Sequence, residues 1–240
     1  MKPIHIHAKP GHIAERVLVA GDPGRIRKLS KLLEGRVLVN RNRGYLIYTG
    51  TYNGARITLA THGIGGPSAA IVLEELAMLG AKTFVRFGTA GALSPEVKIG
   101  DYVIPTDASH VPGGNATAQY FEKADFEATP DSALSEKLAK AFADRNLKFH
   151  RGKVFTSDAL YAEEEGFAEK HFKNGNIAVE MECAILFKLS RLRGWRSASA
   201  LVVSDSLVGK AVGEHWISKR ELNNRVMEGA KVVLGVLAEA

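Results

Sequence analysis

Short apolar runs rich in valine, isoleucine and leucine recur along the chain with helical patterns between them, and this alternation constrains the fold more than any other feature. The runs are Arg16–Ala20, Ile57–Thr61, Thr83–Phe87, Tyr102–Pro105, Lys153–Phe155 and Ser199–Val203. They read as strands of a mostly parallel sheet buried on both faces. Between and beyond them, Pro23–Leu33, Pro67–Leu79, Asp131–Arg145, Glu163–Phe172, Glu182–Arg193 and Ser218–Leu237 carry apolar residues at three- and four-residue spacing, which predicts helices. Asn53-Gly54, flanked by Tyr45–Tyr52 and Ala55–Thr61, is a two-residue hairpin signal, so the sheet is mixed. The expectation is a single α/β domain spanning residues 1–240. The stretch Ser109–Ala128, with Pro112-Gly113-Gly114, has weak periodicity and reads as a long loop or lid.

Composition narrows the class of function. With 45% hydrophobic and 24% charged residues the chain is of ordinary globular type. No apolar run approaches a membrane span and the N-terminus lacks the apolar stretch of a signal peptide, so a cytoplasmic protein without membrane partners is expected. Cys183 is the only cysteine, which excludes an intrachain disulfide and a cysteine-held zinc and reads as a buried free thiol. The net charge of +6 is spread among acids, without a long basic run or interleaved aromatics, so nucleic acid is not the expected partner. A small anionic ligand accounts for the balance as well. His5-Ile6-His7 lacks further ligands in register, and no metal is expected.

Several segments carry chemistry. Gly21-Asp22-Pro23-Gly24-Arg25 follows the first strand and opens a helix. Asp22 can cap that helix and Pro23 suits its first position, which aims backbone N–H groups at an anion, with Arg25 adding a bidentate guanidinium. Taken alone, these residues favour an ordinary capped helix with a surface arginine. Arg86-Phe87-Gly88-Thr89-Ala90-Gly91-Ala92 ends another strand and offers a second arginine and the Thr89 hydroxyl on a glycine-loosened turn. Two such strand ends can converge on one phosphate, since open α/β sheets bind ligands outside the carboxyl ends of their strands. His62-Gly63-Ile64-Gly65-Gly66-Pro67-Ser68 resembles a dinucleotide fingerprint only at its first two glycines, and the later acid is missing. Close approach of the backbone to another ligand or to a neighbouring strand explains these glycines better.

Glu180 and Glu182 flank Met181 at a strand-to-helix junction. They are either ribose acceptors or acids favoured by a helix N-terminus. In Val202-Val203-Ser204-Asp205-Ser206 an apolar strand runs into an acid, a general-acid candidate or a cap.

Taken in order, His5, Gly21-Asp22-Pro23, Arg43-Gly44, Arg86-Phe87-Gly88-Thr89, Glu180-Met181-Glu182 and Ser204-Asp205 resemble the hexameric class of purine nucleoside phosphorylases and the related 5′-methylthioadenosine phosphorylases. The resemblance implies a central mixed, partly barrel-like sheet flanked by helices, and phosphorolysis of purine nucleosides. It implies a phosphate site of Gly21, Arg25, Arg86 and Thr89, with Arg43 from a neighbouring subunit. It puts Glu182 on the ribose hydroxyls with Met181 behind the sugar, His5 of the neighbour near the 5′ position, and Ser204 and Asp205 at the base. It also implies a homo-oligomer, a hexamer of paired subunits with shared sites, and no cofactor beyond phosphate as co-substrate. Asp205 would protonate N7 of the leaving purine, although half protonation at pH 7 demands a rise of about three units above the reference value. Here the chain departs from the family. The usual arginine after the acid is absent, and Ser206–Trp216 contains only Lys210 and His215; Leu160 stands where an aromatic residue stacks on the base, followed by Tyr161.

Uridine phosphorylases resemble the chain through the same phosphate site, but read uracil with a glutamine and an arginine two apart. Ala162-Glu163-Glu164-Glu165-Gly166, after Ser157-Asp158-Ala159-Leu160-Tyr161, offers neither. Nucleosidases of the superfamily use water and need no anion site of Arg25, Arg43 and Arg86. A non-catalytic nucleotide sensor would keep that site without needing Asp205.

Overall fold

A computed structural model describes residues 2–111, 116–121, 127–208 and 216–240. In chain order it contains β1 (Arg16–Ala20), α1 (Pro23–Leu29), β2 (Glu34–Asn40), β3 (Ile47–Tyr52), β4 (Ala55–Thr61), α2 (Gly66–Met78), β5 (Thr83–Ala92), β6 (Tyr102–His110), α3 (Ala116–Phe121), α4 (Ser132–Asp144), β7 (Phe149–Thr156), α5 (Phe167–Lys173), β8 (Asn176–Glu180), α6 (Cys183–Arg193), β9 (Arg196–Ser206) and α7 (Lys219–Ala238). All nine strands join one mixed sheet in the order β2-β3-β4-β1-β5-β8-β7-β6-β9. Because β9 also pairs with β5, the strands β5, β8, β7, β6 and β9 close into a five-stranded barrel, and the others extend from it.

The apolar runs are buried on both faces as their composition requires. Val17 and Val19 of β1 and Phe84 of β5 face a layer with Ala69, Leu73 and Leu76 of α2 and Ile185 and Leu189 of α6. Their alternates Leu18, Ala20, Val85 and Phe87 face Ile26 of α1, Leu138 and Phe142 of α4 and Val233 and Leu237 of α7. Cys183 is a buried free thiol at the start of α6. Asn53 and Gly54 both take positive φ, 47° and 76°, in the two-residue turn between β3 and β4. Among the described residues no helix is long and apolar enough to cross a membrane.

Four departures from the sequence expectation bear on the site. The strand expected to stop at Phe87 continues to Ala92, so Gly88 and Thr89 lie in a strand and not on a turn; parallel pairing with β9 along its whole length keeps it extended. Asp205 likewise lies inside β9, at a bulge that skips Ser204. The expected lid begins as strand, because β6 runs to His110, and α3 occupies part of the rest; Pro112-Gly113-Gly114 lie outside the described residues. Finally, α5 starts at Phe167 behind the left-handed Gly166, which leaves Glu163 in extended backbone and out of the helix.

The sheet forks where function is concentrated. One edge of β5 pairs with β1 only as far as Arg86, and the same edge meets antiparallel β8 only at Gly91 and Ala92. Between them β5 has no strand neighbour on that side, and the carboxyl ends of β1 and β8 both point to this gap, while β9 runs along the opposite edge. It is the switch point at which sheets of this kind take ligands.

Candidate active site

Two guanidinium groups meet at the fork. Arg86 is buried, and its Nε and Nη2 donate to Oε2 of Glu180 at 3.2 and 3.1 Å, while Nη2 lies 2.5 Å from Oε2 of Glu182. Its Nη1 is 3.5 Å from Nε2 of His62 and has no carboxylate partner among the described residues. Gly88 is required beneath this group, since a Cβ there would come within 2.7 Å of the guanidinium carbon. Burial disfavours the charge on Arg86, but Glu182 and Glu180 outweigh it and raise its pKa. Arg25 reaches the same place from α1 and donates from Nη1 to the Phe87 carbonyl at 3.2 Å. Burial, then the neighbouring Arg86 charge, pulls its pKa down to about 10. Thr89 stands half-buried on β5 two residues beyond that carbonyl.

The backbone around the pair is shaped for close approach. A Cβ on Gly21 would fall 2.9 Å from the Gly63 carbonyl, so the turn after β1 can lie against the glycine loop only without a side chain. Asp22 caps α1 and takes the N–H groups of Gly24 and Arg25 at 2.7 and 3.1 Å, so these two donors, expected to be free for an anion, are occupied. The glycine loop after β4 also serves this site: Gly65, at φ 84°, donates its N–H to Oε1 of Glu182 at 2.7 Å. His62, missed in the sequence reading, is buried below Arg86, and burial together with that positive charge holds its pKa down to about 3, so the ring is neutral.

The two acids of Glu180-Met181-Glu182 have different surroundings. Glu180 accepts from Arg86, Thr156 Oγ1 and the N–H groups of Glu182 and Cys183, which fills both oxygens and caps α6. Among the described residues Glu182 is held only by Gly65 and Arg86, leaving acceptor capacity on each oxygen. Met181 is half-buried in the bend between them.

A second acid pair lies along β9. Asp205 is buried against Gly91, where a Cβ would approach its Oδ2 to 3.0 Å, and Ser204 Oγ donates to its Oδ1 at 2.8 Å. Burial raises its pKa against that hydrogen bond. Glu163 has both carboxylate oxygens shielded from solvent, without a hydrogen-bond partner among the described residues. Burial first and then the Asp205 charge push its pKa up to about 7. Sequence reading assigned Glu163 only to a helix; the one available signal was an acid run directly after Ser157–Tyr161. Tyr161 itself is 98% exposed and stacks on no ring among the described residues, and Leu160 is half-buried. Lys210 and His215 lie outside the described residues. Alongside, a cavity of about 890 Å³ is lined by Ser157, Asp158, Ala162 and Phe167.

His5 and Arg43 belong to another surface. Arg43 is exposed at φ 54° and has no ion pair among the described residues. Its neighbour Asn42 donates from Nδ2 to the His5 carbonyl at 2.9 Å, so both form one unit away from their own chain's guanidinium pair. Among the described residues no group of three or more histidine, cysteine or acidic side chains is arranged to hold a metal.

Comparison with known proteins places the chain in a family. Residues 15–238 match the family model described as the Phosphorylase superfamily. A DeoD-type purine nucleoside phosphorylase of Geobacillus kaustophilus is 39% identical over 207 residues, covering 85% of this chain and 86% of that protein. A guanosine phosphorylase of Halorubrum lacusprofundi is 35% identical over 204 residues, with 85% and 83% covered. A uridine phosphorylase of Thermococcus kodakarensis is 32% identical over 223 residues, with 88% and 79% covered. In fold, a crystal structure of purine nucleoside phosphorylase from Toxoplasma gondii in complex with immucillin-H superimposes with a TM-score of 0.87 at 23% identity, covering 99% of this chain and 96% of that one. The forked sheet with its paired guanidinium groups and its acids is thus built on a chain that belongs to the Phosphorylase superfamily.

Proposed function

We propose that the protein cleaves the N-glycosidic bond of purine nucleosides with inorganic phosphate, releasing the base and ribose 1-phosphate. The observation that carries this reading is the pair of guanidinium groups at the fork, close enough for Arg86 to depress the pKa of Arg25. An anion seated between them relieves that repulsion. Gly21, Arg25, Arg86 and Thr89 form the phosphate site, and Arg43 completes it from a neighbouring subunit. Glu182, with acceptor capacity to spare, takes the ribose hydroxyls, and Met181 packs behind the sugar. Glu180 acts through others by holding Arg86 and the start of α6. Ser204, Asp205 and Glu163 form the base end.

Bond cleavage builds positive charge on the ribosyl ring, which the phosphate dianion stabilises before it attacks. The departing purine gathers negative charge, and a proton held at the Asp205–Glu163 pair neutralises it at N7. This second carboxyl answers the absence of the family's arginine, because a neutral neighbour at pH 7 can supply or share the proton. No cofactor enters beyond phosphate as co-substrate. Two relatives named for purine or guanosine substrates support the purine, as does an acid run where the uracil-reading glutamine and arginine would stand. Base release from inosine, adenosine or methylthioadenosine is expected only when phosphate is supplied; equal rates in phosphate-free buffer would sink the assignment.

The assembly reading is a homo-oligomer of paired subunits, with His5 and Arg43 lent across the pair. Exposed apolar residues support it: Ile4 beside His5 at 69%, Val37 on β2 at 60% and Ile64 in the glycine loop at 75% exposure. Arg43→Ala and Asp205→Asn should each be inactive, yet regain activity when dissociated and reassembled together. About a quarter of the sites are then whole, because about half the pairs are mixed and each has one intact site. No recovery, with subunit exchange confirmed by mass, rules out the shared site.

A further inference from the structure

The N-terminal segment is held by a buried carboxylate that the phosphate, ribose and base sites do not use. Glu75 lies on the buried side of α2 at 5% exposure. It accepts the N–H groups of Ile4, His5 and Ile6 at 3.0, 2.9 and 2.7 Å, and its Oε1 lies 2.7 Å from Nδ1 of His5. A carboxylate taken this far out of water is tolerable only when its oxygens are filled, and here one residue gathers a whole turn of chain. From the other side, Asn42 grips the His5 carbonyl. The ring is therefore positioned before any ligand arrives.

Its tautomer is set as well. Burial disfavours the charge on Glu75, but the bonds from His5 and from the three N–H groups prevail and keep its pKa below the ordinary value. An ionised carboxylate only accepts, so Nδ1 of His5 carries the proton, and in the neutral ring Nε2 presents a lone pair. Among the described residues Nε2 has no partner.

We propose that Glu75 is a positioning and specificity-determining residue: by holding His5 as the Nδ1–H tautomer, it makes the neighbouring subunit's 5′ subsite favour a hydroxyl over a thioether. This rests on the reading that places His5 at that subsite. A hydroxyl donates to Nε2, whereas a thioether sulfur turns one weak acceptor toward another. Without Glu75 the ring is free to carry its proton on Nε2, a form that serves either substituent.

The test compares kcat/KM for adenosine with that for 5′-methylthioadenosine in the assembled enzyme, in Glu75→Gln and in His5→Ala. The expected result is that Glu75→Gln lowers the adenosine-to-methylthioadenosine ratio about tenfold, the scale of one hydrogen bond, with the KM for phosphate unchanged. His5→Ala should move the ratio in the same direction. A ratio that shifts in His5→Ala but not in Glu75→Gln overturns the role of Glu75 and leaves His5 in place. A ratio unchanged in both overturns the placement of His5, and this proposal with it. Should Glu75→Gln not fold, nitrogen-15 resonances of the wild-type imidazoles decide: the ring whose signals vanish in His5→Ala must show the Nδ1–H pattern, and an Nε2–H pattern overturns the proposal.

Discussion

Arg86→Ala is expected to cut phosphorolysis about 10²–10³-fold and to lower stability by about 3–5 kcal/mol at the same time, the latter being the cost of stripping one partner from a buried ion pair. Two consequences follow from its position between the acids and the anion site. The stability loss arises because Glu180 and Glu182 are left as buried carboxylates sharing a site without their cation, a cost incurred with or without ligand. The catalytic loss arises because the proposed phosphate site keeps only Gly21, Arg25, Thr89 and the neighbouring subunit's Arg43, and because Glu182 loses its contact with Arg86. Removing one preorganised donor from a developing charge typically costs about 10²–10³ in turnover. Chemical denaturation reads the first effect, and steady-state rates at varied phosphate read the second. A lower turnover at unchanged phosphate dependence would remove Arg86 from the anion site, and an unchanged denaturation midpoint would deny that it neutralises the two acids.

Glu163→Gln is expected to reduce turnover on 6-oxopurine nucleosides about a hundredfold and to change its pH dependence, because it removes an acid that is half protonated near neutrality. In the wild type, with the Glu163 pKa at about 7, turnover should be level in mildly acidic buffer and fall as the pH rises through about 7. Asp205→Asn should also lose turnover, and by removing the charge that helps raise Glu163 it should move any remaining limb to lower pH. The two carboxyls titrate as a pair, so the limbs belong to the pair and not to either residue. Stability carries the same signature. The native state holds a proton that the unfolded chain releases at its ordinary value of 4.5, so stability falls as the pH rises from there through about 7, and Glu163→Gln should flatten that decline. A pH profile identical in wild type and Glu163→Gln would remove Glu163 from proton transfer.

Much of the scaffold was legible because its signals are local. The runs Arg16–Ala20 and Ile57–Thr61 are β1 and β4 because apolar side chains on both faces of a strand demand a layer on each side. The Asn53-Gly54 turn was legible because only such residues take positive φ cheaply at both positions. Asp22 and Pro23 announced the start of α1 for a similar reason. Errors arose where partners far along the chain overrode local preference. Gly88 to Ala92 look like a loosened turn, yet hydrogen bonds to β9 keep them extended; Glu163 looks helical, yet its chain is drawn past the site before Gly166 allows α5 to begin.

The sequence by itself determined the α/β class, the hairpin and most helices, and its resemblance named most of the residues now proposed for a phosphate and nucleoside site. Only the tertiary structure decided how those residues divide the work. Glu180 and Glu182 are two apart and chemically alike, and what separates them is the donors that each meets: Arg86, Thr156 and the first turn of α6 fill Glu180, whereas Gly65 and Arg86 leave Glu182 room to accept. Likewise Glu75 and Glu163 are ordinary acids in the sequence, and become a clamp on His5 and an acid half protonated near neutrality beside Asp205 only through burial and pairing. Side-chain periodicity records which face of an element is buried. The charge state and free valences of a buried acid depend instead on groups brought from distant strands, and no local pattern encodes these.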